Sequence, residues 1–80
     1  MKFSQITTTV TVTDNNDNNV NVDLYVDGYF HGHDLHIENA EIAEAYLDDF
    51  EPVDPKTLNY SINDLTFLVD EDDVWNSATN

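Results

Sequence analysis

The sequence contains no cysteine and no arginine, and it has only two lysines, two glycines and two prolines. Without cysteine there is neither a disulfide framework nor a thiolate metal site to hold so short a chain together. With Lys2 and Lys56 as the only basic side chains besides three histidines, the chain should repel DNA, RNA and anionic membrane surfaces, which select for basic proteins. No apolar run approaches the ~20 residues that cross a bilayer. Met1-Lys2-Phe3-Ser4 lacks the charged-then-apolar layout of a signal peptide, so the expected location is the cytoplasm. No Gly-rich phosphate loop or nucleophile elbow occurs, and carboxylates are too numerous for any pair to stand out as an acid/base couple. Eighty residues form one domain with a thin core and little room for a concave pocket. The expectation is a single domain over residues 1–80 that is not an enzyme and needs no cofactor.

What is present is acid. Asp and Glu total 17, for a net charge of −15, well beyond the magnitude of about 2–8 that solubility asks of a small domain. Such an excess works against the compact state by self-repulsion. Disorder is nevertheless not the reading, because 40% of residues are apolar and they fall into regular periods.

Ile6, Thr8, Val10 and Val12 alternate with Thr7, Thr9, Thr11 and Thr13, the period of a strand with one apolar face. Thr13 to Asn19 is dense in turn formers and reads as a surface loop. Val20, Val22, Leu24 and Val26 make a second strand, and Asp27-Gly28 signals a hairpin into a third running to about Ile37. Asn39 then reads as an N-cap. Ile42, Ala43, Tyr46, Leu47 and Phe50 follow a helical stripe ended by Pro52 and Pro55. Leu58, Tyr60 and Ile62, then Leu65, Phe67 and Val69, read as two further strands joined at Asn63-Asp64, with a helix from near Asn63 as the competing reading. Residues from about 70 to 80 form an acidic tail. The predicted fold is α+β: a mostly antiparallel sheet of about five strands in the order β-β-β-α-β-β, with one helix packed on its apolar face. The other face, carrying Thr7, Thr9, Thr11, Asn21, Asp23 and Tyr25, should be wet.

The placement of the acids matters more than their number. On the expected helix, Glu41, Glu44, Asp48 and Glu51 would line the exposed face about every 4.5–6 Å. Asp48 and Asp49 would lie in its last turn, where the helix dipole favours cations. Like charges at this spacing oppose a helix, and breaches of local consistency tend to mark function. Asp23 and Asp34 add to the outer face of the sheet, and Asp70, Glu71, Asp72 and Asp73 are consecutive. Trp75, in a polar tail, is the aromatic best suited to anchor a partner.

On its short length, the Glu41/Glu44/Asp48/Glu51 row and the Asp70–Asp73 cluster, the chain resembles the small acidic nucleic-acid-mimic inhibitors of phages and mobile elements, the anti-CRISPR and anti-restriction proteins. The resemblance implies a stoichiometric inhibitor in the host cytoplasm. Its carboxylates would take the place of phosphates in the basic groove of a host defence complex. The implied partner is a basic nucleic-acid-binding protein or complex, with no direct nucleic-acid binding and no membrane.

Two other readings use the same acids: a binding module for a basic protein, of antitoxin or chaperone type, and the acidic bias of proteins adapted to high salt. His31, His33 and His36 raise a metal reading, but His36 faces away from the other two on a strand and a fourth ligand is not evident. The loop from Asp14 fails the calcium pattern, with Asn19 where glycine is needed and Tyr25 where glutamate is needed.

Overall fold

A computed structural model describes residues 1–79. Three long strands, β1 (Lys2–Thr13), β2 (Asn19–His31) and β3 (Asp34–Leu47), are followed by a single 3-10 turn at Pro55–Thr57 and two short helices, α1 (Ile62–Phe67) and α2 (Glu71–Thr79). The strands form an antiparallel meander with β2 in the centre and β1 and β3 at the edges.

The alternation of β-branched residues builds this sheet as expected. Val10 and Val12 of β1 and Val20, Val22, Leu24 and Val26 of β2 point to one face and are buried. That face cannot remain open to water, and the chain after β3 crosses it. Leu58, Leu65 and Val74 are buried against the sheet, with Val53, Tyr60 and Val69 packed around them. The α+β class thus holds, with a three-stranded sheet covered by two short helices rather than five strands and one long helix.

The largest correction falls on residues 39–51. This stretch is not a helix but the second half of β3 and the turn that follows, and Asn39 is a strand residue rather than a cap. Two bulges explain the misleading period. The register with β2 slips between Asp27 and Gly28 and again between Asp23 and Leu24, leaving Glu38 and Ala43 without a partner. Inward residues therefore fall at Leu35, Ile37, Ala40, Ile42, Ala45 and Leu47. Each extra residue stretches the strand period locally from two to three, and steps of two and three pass for a helical stripe.

The Asp27-Gly28 hairpin is also corrected. Both residues lie inside β2, and the turn into β3 is at Gly32-His33, where His31 pairs with Asp34. Gly28 is needed there for close packing, since a Cβ would collide with the His36 carbonyl oxygen across the bulge.

Residues 58–69 form no strands. Ser61 caps α1 with a reciprocal capping box, its hydroxyl accepting from the Asp64 N–H while the Asp64 carboxylate accepts from the Ser61 N–H. The acidic tail is a helix. Asp70 accepts from the Asp72 N–H at 2.9 Å, and Glu71, Asp72 and Asp73 occupy the first turn, where the helix dipole favours carboxylates. Asn80, the last residue of that expected tail, lies outside the described residues.

Each of the three turns holds one residue in the left-handed region. Asp17 (φ 60°) does so between β1 and β2, and Gly32 (φ 65°) between β2 and β3. After β3 the residue is Phe50, at φ 68°. The first and third turns share one hydrogen-bond pattern: Asp14 and Asn18 close the first with Asp17 donating to Asp14, and Leu47 and Glu51 close the third with Phe50 donating to Leu47. Aspartate and glycine suit that conformation, whereas a bulky residue there costs roughly 1–2 kcal/mol.

One polar contact ties α2 to the sheet. Thr8 is the single buried polar residue on the inner face, 2% exposed, and its hydroxyl donates to the Asp73 carboxylate at 2.8 Å. Asp73→Ala strands that hydroxyl and should cost about 1–2 kcal/mol in chemical denaturation. In a Thr8→Val background the same substitution should cost less than half as much. An equal cost in both backgrounds would show that the hydrogen bond is not the cause.

Candidate functional site

The outer face of the sheet is a grid fixed by the strand register. Crossing from β1 to β3, its rows run Thr11, Asn21, Tyr46; then Thr9, Asp23, Glu44; then Thr7, Tyr25, Glu41. Beyond these, Asp27 pairs with Asn39, and the far end carries Lys2, Tyr29 and His36, with His31 opposite Asp34. Carboxylates run the length of the face, from Asp23 and Glu44 through Glu41 and Asp27 to Asp34, and the lysine and two histidines join them at the end away from the β1–β2 turn.

Two strongly engaged acids anchor this grid. Asp23 Oδ1 accepts from the Thr9 hydroxyl at 2.6 Å and from the Tyr46 hydroxyl at 3.1 Å. Asp27 accepts from the Gln5 N–H at 2.7 Å, at the bulge where β1 slips register and Gln5 takes a positive φ. Asp23 also faces Glu44 directly across the strand pair, an arrangement of like charges that works against the sheet.

Most aspartate carboxylates accept a hydrogen bond, Asp17, Asp34 and Asp72 being the exceptions among the described residues, whereas the glutamate carboxylates accept none. Among the described residues, Asp14, Asp49, Asp54, Asp64 and Asp70 accept backbone N–H groups at turns and helix starts, Asp48 accepts from the Asn21 amide, and Asp73 holds Thr8. The Asp14 carboxyl is held below its usual pKa chiefly by the Asn18 N–H, with Asn16 assisting. These aspartates have local structural work. The carboxylates of Glu38, Glu41, Glu44, Glu51 and Glu71 accept no hydrogen bond from another described residue, and all five residues are exposed. Three of them, Glu38, Glu41 and Glu44, ride on β3, and Asp34, Asp48, Asp49 and Glu51 extend the line at its two ends. At ~3.3 Å per residue the three strand glutamates recur at most about every 10 Å, twice the interval of the expected helix.

The sequence-derived residues are thus partly brought together. Asp23, Glu41 and Glu44 share the outer face. Asp48, Asp49 and Glu51 follow in the turn after β3, and Asp34 lies at the opposite end of the strand. Glu71, Asp72 and Asp73 are on α2, with Asp70 just before it, and α2 packs on the inner face beside β1. Trp75 is a packing residue rather than a free anchor: its ring meets Phe30 edge-on at 4.9 Å and His33 at 4.9 Å. His36 stacks on Tyr29 at 4.7 Å, and the described residues contain no group of three or more His, Cys, Asp or Glu placed to hold a metal ion.

Sequence reasoning missed Asp27 and Glu38 as members of this surface, because it placed one in a turn and left the other unassigned. It also buried Phe50, which is 79% exposed. Tyr46 and Phe50 stack with ring centroids 5.7 Å apart, and with Pro52 and Pro55 they line an open groove of about 410 Å³ at the β3 edge. Phe67, 88% exposed, and Leu68 stand at the end of α1.

No family model matches the sequence, and comparison with curated proteins and with solved structures found no match. No helix among the described residues is long and apolar enough to cross a membrane.

The Tyr46 phenol is held above the usual tyrosine pKa, first by loss of hydration and then by its hydrogen bond to Asp23 and the charge of that carboxylate. A raised pKa in the folded state means that the associated stability is fully present below the unfolded value of about 10 and is lost as pH rises through the folded value. Spectrophotometric titration should show one of the four tyrosines ionising last, and Tyr46→Phe should remove that step. Should the last step survive in Tyr46→Phe, the Asp23 contact does not control the phenol.

Proposed function

We propose that this chain is a nucleic-acid-mimic inhibitor, a non-catalytic protein whose acidic outer face and β3 edge occupy the basic nucleic-acid groove of a partner in the cytoplasm. The observation that carries the reading is the line of exposed glutamates Glu38, Glu41 and Glu44, their carboxylates without hydrogen bonds among the described residues, on a strand that holds no lysine or arginine. These carboxylates have no local structural role of the kind the turn and cap aspartates fill. Asp23 stands one strand away from Glu44, ~4.8 Å across the sheet. Together they make a two-dimensional field fixed by a rigid sheet.

A nucleic-acid strand presents a phosphate every ~3.4 Å of axis. The β3 glutamates then match roughly every third phosphate, and the β2 acids Asp23 and Asp27 add charge on the neighbouring strand. Lysines and arginines of the partner exchange phosphate for carboxylate, so the true nucleic acid is excluded. Association between opposite fields is fast and salt-sensitive. The resemblance to anti-CRISPR and anti-restriction inhibitors makes a host defence complex the first partner class to test.

Acids on an edge strand also prevent edge-to-edge pairing, and the experiment separates the two roles. The immobilised chain is exposed to host lysate, and bound protein is eluted with duplex DNA or with rising salt. Capture of a basic complex that the duplex displaces is expected. Glu38→Gln, Glu41→Gln and Glu44→Gln combined should weaken capture by tenfold or more while leaving thermal stability equal or higher, since like-charge repulsion is relieved. Aggregation of that variant with undiminished capture would make the glutamates edge guards and sink the proposal. A basic partner that duplex DNA fails to displace would make the chain an acidic binding module rather than a mimic.

A further inference from the structure

We propose that the groove at the end of β3, formed by Tyr46, Phe50, Pro52 and Pro55 with Glu44 on its rim, is a receptor for an arginine side chain of the basic partner. This inference rests on the acidic-surface reading above and names the contact that gives it selectivity.

The turn that carries Phe50 is built twice in this molecule. In the β1–β2 loop the residue at positive φ is Asp17, a type that tolerates the left-handed region. In the β3 turn, with the same hydrogen bonds, that position holds a phenylalanine at φ 68° whose ring is 79% exposed. Folding favours neither choice: the conformation suits Asn, Asp or Gly, and the ring gains little burial. The chain is nevertheless locked in place on both sides of the ring. The Leu47 N–H donates to the Glu51 carbonyl at 2.9 Å, the Val53 N–H donates to the Ala45 carbonyl at 2.9 Å, and Tyr46 pairs with Pro52. Phe50 is thus held rigidly outward, its ring near-parallel to that of Tyr46 at an interplanar angle of 24°.

The surroundings select the occupant. Two stacked aromatic rings and two prolines make an apolar slot with one acid, Glu44, in its lining, and Asp48, Asp49, Glu51 and Asp54 flank Phe50 and the prolines in the chain. Asp48 and Asp49 are engaged with Asn21 and the Glu51 N–H, whereas the carboxylates of Glu44 and Glu51 accept no hydrogen bond from the described residues. An anion is repelled here, and a purely apolar side chain would leave those carboxylates uncompensated. A planar, weakly hydrated cation that stacks on aromatic rings while its N–H groups reach a carboxylate satisfies both parts of the site. That description fits the guanidinium of arginine and not the compact, strongly hydrated ammonium of lysine. The phenol of Tyr46, donating to Asp23, leaves its ring electron-rich toward such a cation.

The test compares two short peptides of equal charge, one alternating glycine with arginine and one alternating glycine with lysine, titrated at low salt and followed by NMR. The arginine peptide should bind about two- to fivefold more tightly, the advantage expected of one exposed cation–π contact, with shifts centred on the Tyr46 and Phe50 rings. Phe50→Asn keeps every carboxylate and places a suitable residue at positive φ, so its thermal midpoint should be equal or higher. In that variant the preference for arginine should vanish while lysine-peptide affinity stays unchanged; Phe50→Gly serves the same purpose should Phe50→Asn fold poorly. Equal affinity for the two peptides, or a preference that survives loss of the ring, overturns the arginine receptor and leaves the acidic-surface reading standing. Failure of both peptides to bind overturns both.

Discussion

The structure depends on covering one apolar sheet face. The inward side chains of β2, Val20, Val22, Leu24 and Val26, are fully buried, and in a single three-stranded sheet nothing within the sheet hides them. The cover is the irregular C-terminal segment, which contributes Leu58, Leu65 and Val74 from a loop and two helices too short to be stable alone. Those helices exist because their ends are capped by Ser61, Asp64 and Asp70 and because the sheet offers them an apolar surface. Sheet and cover stabilise each other, as expected for a chain of this size.

That division governs the charge. With one face given to the core, the 17 acids occupy the other face, the edges, the turns and the two short helices. Aspartate takes the turn and cap positions, where its short carboxylate reaches a nearby N–H group. The glutamate carboxylates, which accept none of these hydrogen bonds, project from β3, from the turn after it and from α2. The layout of the outer face, with carboxylates along its length and Lys2, His31 and His36 joining them at its far end, follows from strand register rather than from any local motif.

Much of the first half of the fold was legible in the sequence, because β1 and the early part of β2 follow a strict period of two. The helix expected over residues 39–51 was not, since the bulges at Glu38 and Ala43 give a strand the spacing of a helix. Asp27-Gly28 carried the strongest local turn signal and lost to a tertiary demand, the close approach of the His36 carbonyl. The C-terminal helices left readable traces in the Ser61–Asp64 capping box and in the acidic first turn after Asp70, which was taken for a bare tail. Of the candidate surface, sequence identified Asp23, Glu41 and Glu44 as outward acids but set two of them on the wrong element. The groove at Tyr46 and Phe50 was hidden because a helical reading buries both rings.

Binding through the β3 glutamates is tested most directly by carboxyl-group footprinting, in which exposed acids are labelled and located by mass spectrometry before and after complex formation with the captured partner. Labelling of Glu38, Glu41 and Glu44 should fall sharply in the complex while Asp17, Glu71 and Asp72, on the β1–β2 loop and α2, stay as reactive as in the free protein. Unchanged labelling along β3, with protection on α2 instead, would contradict this account and move the interface to the opposite side of the molecule.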